Sequence, residues 1–332
     1  MPEIKEMIRD SEPGTSDNLI LDNIGLDGLD LTSLERYRNS LREYNYWHPW
    51  LKMKEEEFME AIGAAGRGAD GKLHPTGAGL LMFGKEHRIT DIFPEYFLDY
   101  RERSYSERWS HRLHSQSGEW SGDVFDFFTL VAERLSVSVP SPFKLEGLVR
   151  KGESDAFIAA REAVINALIH SDYSAGGGVV IEIGRNIVTV SNPGTFHITL
   201  SDAVKGGVSD PRNGRIMKMF TLIGLAEHAG SGLHAMIESE RSGAIKGVRI
   251  EESYAPPRVT IVLDLSPEMR GAGRTASKVM DALTADNMAT TAKLAEKTGL
   301  SEKTVSRAIS ELKMARKIVR AGSRRNGYWV VK

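Results

Sequence analysis

Residues 161–173 read REAVINALIHSDY. As a helix, this stretch is apolar on most sides, with Ala163, Val164, Ile165, Ala167, Leu168 and Ile169 as core material. Glu162, Asn166 and His170 interrupt it at a step of four, which stacks them on one face. An acid, an amide and an imidazole in such a row suit the chemistry of a magnesium-bound triphosphate. The asparagine carbonyl is a hard oxygen ligand that adds no charge beside the phosphates. A glutamate one turn away is placed to polarise a water for in-line attack. The plainer reading is a buried helix with a few satisfied polar groups, and the segment alone does not separate the two. His170 on its own reads as structural or as a nucleotide contact.

Two later stretches bear on that choice. Asn192-Pro193-Gly194 closes the strand-like IVTVS, where a glycine lets a ligand approach the backbone and the amide can read a purine edge. Gly230-Ser231-Gly232-Leu233 opens a predicted helix, whose free N–H groups bind phosphate. GRGADGK (66–72) falls one residue short of a P-loop and lacks the Ser or Thr after the lysine, so it reads as a surface turn. His111 and His114 have a spacing that could hold a metal, but no acid cluster adjoins, and a surface pair is expected. Arg101, Arg103, Arg108 and Arg112 are expected to form a solvated face.

The elements that would position these residues follow from periodicity. LTSLERYRNSLREYNYWHPW has a helical start, with Thr32 or Ser33 as cap, and further helices are predicted in 53–65 and in 120–135. EYFLDYRE alternates like a strand. Beyond Phe143 the opening helix is followed by the hairpin 179–183 and 187–191, a glycine-rich loop at 205–214, the helix RIMKMFTLIGL, a further helix in EHAGSGLHAMIESE and the closing strand 258–265. The expected division is an N-terminal mixed α/β region at 1–142, a nucleotide-binding domain at 143–265, a linker at 266–273 and a C-terminal unit at 274–332.

REAVINALIHSDY, SNPG, GGVSDPRN and EHAGSGL, in that order, resemble the GHKL ATP-binding fold of type II topoisomerases, MutL, histidine kinases and anti-sigma serine kinases. They look most like the RecG-helicase-related, Schlafen/AlbA-associated transcriptional regulators, as do GLLMFG, FPEYFLDYRE and GEWSGDVFDFF further upstream. The resemblance spans roughly residues 25–265 and implies an α+β fold: an α/β sandwich of the GHKL ATPase type. It implies Glu162 as general base, Asn166 as Mg²⁺ ligand, and Asn192 and Gly194 near the adenine. Gly230, Ser231 and Gly232 would lie beside the phosphates, with Arg212 and Asn213 in the lid loop. Asn192 stands where the fold usually has aspartate, and an amide accepts from the adenine amino group more weakly than a carboxylate does. The Alba-type domain that usually leads such proteins is expected to be absent, which would make this a short member or a fragment.

The chain has 332 residues, 41% hydrophobic and 27% charged, enough for two or three globular domains. Cysteine is absent, which excludes disulfides, thiolate metal sites and cysteine nucleophiles. With no apolar run near the ~20 residues of a membrane span and no signal-like start, a cytoplasmic protein is expected. The net charge of −2 is uneven: residues 301–332 hold nine basic and two acidic residues. That basic module predicts nucleic acid as partner.

Its pattern predicts a winged helix-turn-helix. Gly299 makes the turn and Ser301 the cap, and Val305, Ala308, Ile309 and Leu312 form the buried face of a recognition helix. Lys303, Thr304, Ser306 and Arg307 are left for double-stranded DNA, with Arg324 and Arg325 at the tip of a wing. The expected function is an ATP-binding, DNA-binding transcriptional regulator, homodimeric on symmetric operators. Any hydrolysis would be slow, and no P-loop helicase motor is expected. The alternatives are an anti-sigma-like serine protein kinase, in which Glu162 would activate a protein hydroxyl, and a binding module with a degenerate nucleotide site. The basic unit favours the regulator.

Overall fold

The structure is a computed structural model that describes residues 16–103, 109–139, 145–146, 149–150, 154–184, 186–207, 210–226, 231–265, 272–314, 318–321 and 328–331. The chain divides into two compact units, Met1–Pro267 and Glu268–Lys332.

The first unit opens with a 3₁₀ turn at Ser16–Asn18. Then come α1 (Leu31–Tyr44), α2 (Glu55–Ile62), a hairpin of β1 (Ala65–Arg67) and β2 (Leu73–Pro75), α3 (Gly77–Phe83) and α4 (Glu86–Ile92). Strands β3 (Leu98–Arg103) and β4 (Trp109–His114) precede α5 (Val124–Ser138) and the short pair β5 (Leu145–Glu146) and β6 (Val149–Arg150). The rest runs α6 (Asp155–His170), β7 (Val179–Gly184), β8 (Ile187–Pro193), α7 (Leu200–Lys205), α8 (Gly214–Leu222), α9 (Ser231–Ser242), β9 (Gly247–Tyr254) and β10 (Pro257–Asp264).

Local chemistry explains the helix starts. Asp30, not Thr32 or Ser33, caps α1: its Oδ1 accepts the Thr32 N–H at 2.8 Å. Being the polar side chain directly before Leu31, it meets the free N–H groups two residues ahead of Thr32. Asp123 caps α5 by accepting the Asp126 N–H at 2.7 Å. Burial, with the Asp126 charge beside it, drives the Asp123 carboxyl well above the usual carboxylate range. The P-loop-like GRGADGK lies in the β1–β2 hairpin, where the Gly68 N–H donates to the Lys72 carbonyl at 2.9 Å.

Six strands form one mixed sheet in the order β4-β3-β7-β8-β10-β9. All pairs are antiparallel except β3 with β7. Alternation turns Tyr100, Ile181, Val188, Val190, Ile261 and Leu263 into a core that the helices share. Strand β9 and helix α7 carry no strong period and were not expected from the sequence.

The expected boundary at 142/143 is not where the chain divides. Strand β3, from the N-terminal region, pairs in parallel with β7, with Leu98 opposite Val179. Phe58, Phe83 and Phe125 belong to the same core cluster as Val164 and Ile181. Burying β3 against β7 removes the open sheet edge that a separate 143–265 domain would expose. Of the expected solvated arginine face, Arg103 and Arg112 are exposed and Arg108 lies outside the described residues. Arg101 and Arg112 both reach Asp99, whose side chain is fully buried. Burial alone would raise the Asp99 carboxyl, but the two guanidinium groups hold it below the usual range.

The second unit holds α10 (Ala272–Ala285), α11 (Thr291–Thr298), α12 (Glu302–Met314) and the antiparallel hairpin β11 (Ile318–Ala321) with β12 (Tyr328–Val331). Ala272 and Gly273, expected in the linker, already belong to α10. Val279, Leu283, Leu294, Val305, Ala308, Ile309, Leu312, Ile318 and Trp329 form its own core. Gly299, in the left-handed region, ends α11, and Ser301 Oγ accepts the Thr304 N–H at 3.2 Å.

Candidate functional site

Helix α6 starts where Ser154 Oγ accepts the Phe157 N–H at 3.1 Å. Ala159, Ala160, Ala163 and Ala167 keep one side of it thin, so that α9 and β8 pack closely against it. Val164, Ile165, Leu168 and Ile169 are buried, each contributing roughly 1.5–3 kcal/mol. Glu162, Asn166 and His170 are left half-buried along the remaining stripe.

That stripe borders a cavity. Asn166, Ala167 and His170 of α6 form one wall, and Asn192 of β8 with Val259 and Ile261 of β10 form another. Thr195, Phe196, His197 and Ile198, just after β8, cover it, with Ala203, Asp210 and Leu233 at the margins. The Asn166 Nδ2 donates to the carbonyl of Glu162 at 2.8 Å, so the other end of its amide is an acceptor oxygen. The first turn of α9 lies on the same two residues. A Cβ on Gly232 would stand 2.4 Å from Asn166 Nδ2 and 3.0 Å from Glu162 Oε2, so a side chain there would push the amide and the carboxylate out of their places.

The Asn192 Nδ2 donates to the Pro193 carbonyl at 3.0 Å, again leaving an amide oxygen as acceptor in a buried, otherwise apolar wall. Gly194 has φ +96°, and its Cα faces the Arg212 guanidinium, 3.2 Å from where a Cβ would lie. Arg212 also donates to the Thr195 carbonyl at 3.4 Å. Asn213 does not face the cavity by its amide: Nδ2 donates to the carbonyls of Ile169 at 2.9 Å and Ser171 at 2.8 Å, tying down the end of α6. Burial, with His197 and Arg212 nearby, pushes the His170 imidazole down to about 4, and Asp210 acts in the opposite sense.

The structure thus brings Glu162, Asn166, Asn192, Gly194, Arg212 and Gly232 to one place. The first turn of α9 begins at Ser231, whereas Gly230 lies outside the described residues. Sequence reasoning missed the cover. His197 pairs with Asp210 at 3.5 Å, and Glu252 of β9 accepts the Phe196 N–H at 2.8 Å. Only the position of residues 195–198, directly after Asn192-Pro193-Gly194, could have flagged them. On α12, Lys303, Thr304, Ser306 and Arg307 are all exposed, opposite its buried face. Arg324 and Arg325 lie outside the described residues. Among the described residues no group of three or more His, Asp or Glu could hold a metal ion, and no helix is long and apolar enough to cross a membrane.

Residues 176–261 match the family described as "Putative ATP-dependent DNA helicase recG C-terminal". The chain therefore carries an ATPase-like segment. The match includes Asn192, Gly194, Arg212, Asn213 and Gly230–Gly232 but starts after Glu162 and Asn166. Residues 5–99 match a domain of unknown function, DUF8451. Among curated proteins, no sequence is similar enough to count as a match. Of solved structures, the chain is similar in fold to the DIP2311 protein from Corynebacterium diphtheriae, with a TM-score of 0.58 at 18% identity. That likeness covers 99% of this chain and 66% of the other, so the chain spans about two thirds of that protein's length.

Proposed function

We propose that the first unit binds adenine nucleotide with Mg²⁺ and that the second is a winged helix that binds double-stranded DNA. Together they make the protein an ATP-binding transcriptional regulator. The observation that carries the nucleotide reading is the seating of Gly232, in the first turn of α9, on Glu162 and Asn166 beside a cavity walled by Asn192. The start of a helix, an uncharged amide oxygen and a carboxylate stand together there, which is a set that suits a metal-bound triphosphate.

Asn166 would hold the magnesium, which would neutralise phosphate charge when bound. Glu162 is the group to accept a proton from an attacking water, and Ser231 with Gly230 and Gly232 would line the phosphates. The apolar walls of Val259 and Ile261 suit a purine, and the Asn192 oxygen suits its amino group. The three helices followed by a hairpin in the second unit support the winged-helix reading. Lys303, Thr304, Ser306 and Arg307 stand on the outer side of α12, and Arg324 and Arg325 would extend the wing along the phosphate backbone. A homodimer would present two such helices to a symmetric operator.

Calorimetry with ATP and ADP, each with and without Mg²⁺, tests the reading. Wild-type protein should bind in a magnesium-dependent manner, and Asn166→Ala should lose that dependence. Tight binding that is the same in both proteins with and without magnesium sinks the site assignment.

A further inference from the structure

Helix α8 follows directly on Arg212 and Asn213, yet nothing local caps it. Asn213 occupies the N-cap position without a cap hydrogen bond, because its amide is turned to the end of α6. The cap comes from 198 residues upstream: Oδ2 of Asp17 accepts the Arg215 N–H at 2.7 Å. The same oxygen accepts the Ile216 N–H at 3.4 Å. Asp17 and Ile216 are both fully buried. Arg215 reaches back, donating from Nε to Asn18 Oδ1 at 2.5 Å and from its guanidinium to the Gly63 carbonyl at 3.3 Å. Further along α8, Lys218 donates to the Ala61 carbonyl and the Tyr37 hydroxyl to the Met219 carbonyl, both at 2.8 Å. The N-terminal region therefore grips α8 along its length.

We infer that Asp17 is a positioning residue for Arg212 and Asn213, which lead into α8, and that the N-terminal region and the nucleotide site are coupled through α8. A carboxylate on two first-turn N–H groups is a charge-assisted bond at the positive end of the helix. Without it, two buried donors lose their acceptor and the first turn of α8 loosens. That turn is continuous with Asn213, which holds the end of α6, and through it with Arg212, which lies over Gly194 and holds the Thr195 carbonyl. Tyr173, in the turn after α6, donates its hydroxyl to the Leu168 carbonyl. Burial first, and the Asp17 carboxylate second, push that phenol well above its usual range.

The inference rests on the nucleotide reading above, and the test keeps the two apart. Asp17→Ala should weaken Mg-ATP binding about tenfold, the scale of a lost helix cap, and Asp17→Asn, which keeps an acceptor oxygen, should restore it to within about threefold. Amide hydrogen exchange of the wild-type protein supplies a readout that a merely structural cap would not move. Saturating Mg-ATP should slow exchange both in residues 212–217 and in residues 16–20, which do not line the cavity. Protection of 212–217 alone, or Asp17→Ala binding as tightly as wild type, overturns the coupling and leaves the nucleotide site standing. Absence of any Mg-ATP binding to the wild-type protein removes both. If Asp17→Ala does not fold, the exchange measurement decides.

Discussion

Helices α6 and α12 are built on opposite plans. Helix α6 is apolar nearly all round and carries one half-buried polar stripe, Glu162, Asn166 and His170. Helix α12 is polar nearly all round and carries one buried apolar stripe, Val305, Ala308, Ile309 and Leu312. On α6 each polar group stands against other parts of the fold, so its chemistry depends on what packs on it: Gly232 on two of them, and His197 and Arg212 near the third. On α12 the polar groups face solvent, where a polar side chain is the default. Function there is argued from charge and topology, not from burial. The same residue types therefore mean different things on the two helices.

The contrast predicts unequal tolerance to change. Gly232→Val should abolish measurable nucleotide binding, a loss of roughly 100-fold or more for a site displaced by about 1 Å. Calorimetry checks it, and near-wild-type affinity would show that the α9–α6 contact is not the phosphate end of the site. His170 supplies a pH test. Its imidazole stays neutral in the fold down to about 4, whereas an unfolded histidine takes up its proton near pH ~6.5.

The unfolded state therefore binds a proton that the fold refuses, and stability should fall as pH drops from about 6.5 towards 4. At about 1.4 kcal/mol per unit the full loss is on the order of 3 kcal/mol. Urea unfolding of wild type and His170→Gln across that window should show a flatter profile for the variant, and an NMR titration of the imidazole gives its midpoint. The smallest effect belongs to α12. Arg307→Ala should weaken duplex binding by about 1–3 kcal/mol and relax base preference, with nucleotide affinity unchanged. Anisotropy titration at low salt measures it, and an unaltered duplex affinity would take Arg307 out of the interface.

Much of the local structure was legible because it repeats along the chain. The hairpin of β7 and β8 and the buried set of α12 follow from period and capping residues within a few positions, whereas the start of α6 at Ser154, ahead of the segment 161–173, was not read. The polar stripe of α6 was legible for the same reason. The cover of the cavity was not: Phe196 is held by Glu252, 56 residues away, and the motif Asn192-Pro193-Gly194 says nothing about the four residues after it. Asn213 was read as a nucleotide contact because the resemblance puts it, with Arg212, in the lid loop. In the fold its amide is spent on two backbone carbonyls at the end of α6.

Sequence alone determined what short-range spacing encodes: the helix and strand periods, the basic excess of residues 301–332, the glycines that admit close approach, and the order of the polar motifs. Tertiary structure alone decided which distant segments meet. It placed β3 in parallel beside β7, where a domain boundary was expected, and buried Asp99 between Arg101 and Arg112. It also capped α8 with Asp17. The physical reason is one of range. A period or a cap is satisfied by neighbours a turn away. A buried carboxylate, a sheet edge or a helix start is satisfied by whichever partner the folded chain delivers, and no spacing along the chain records that partner.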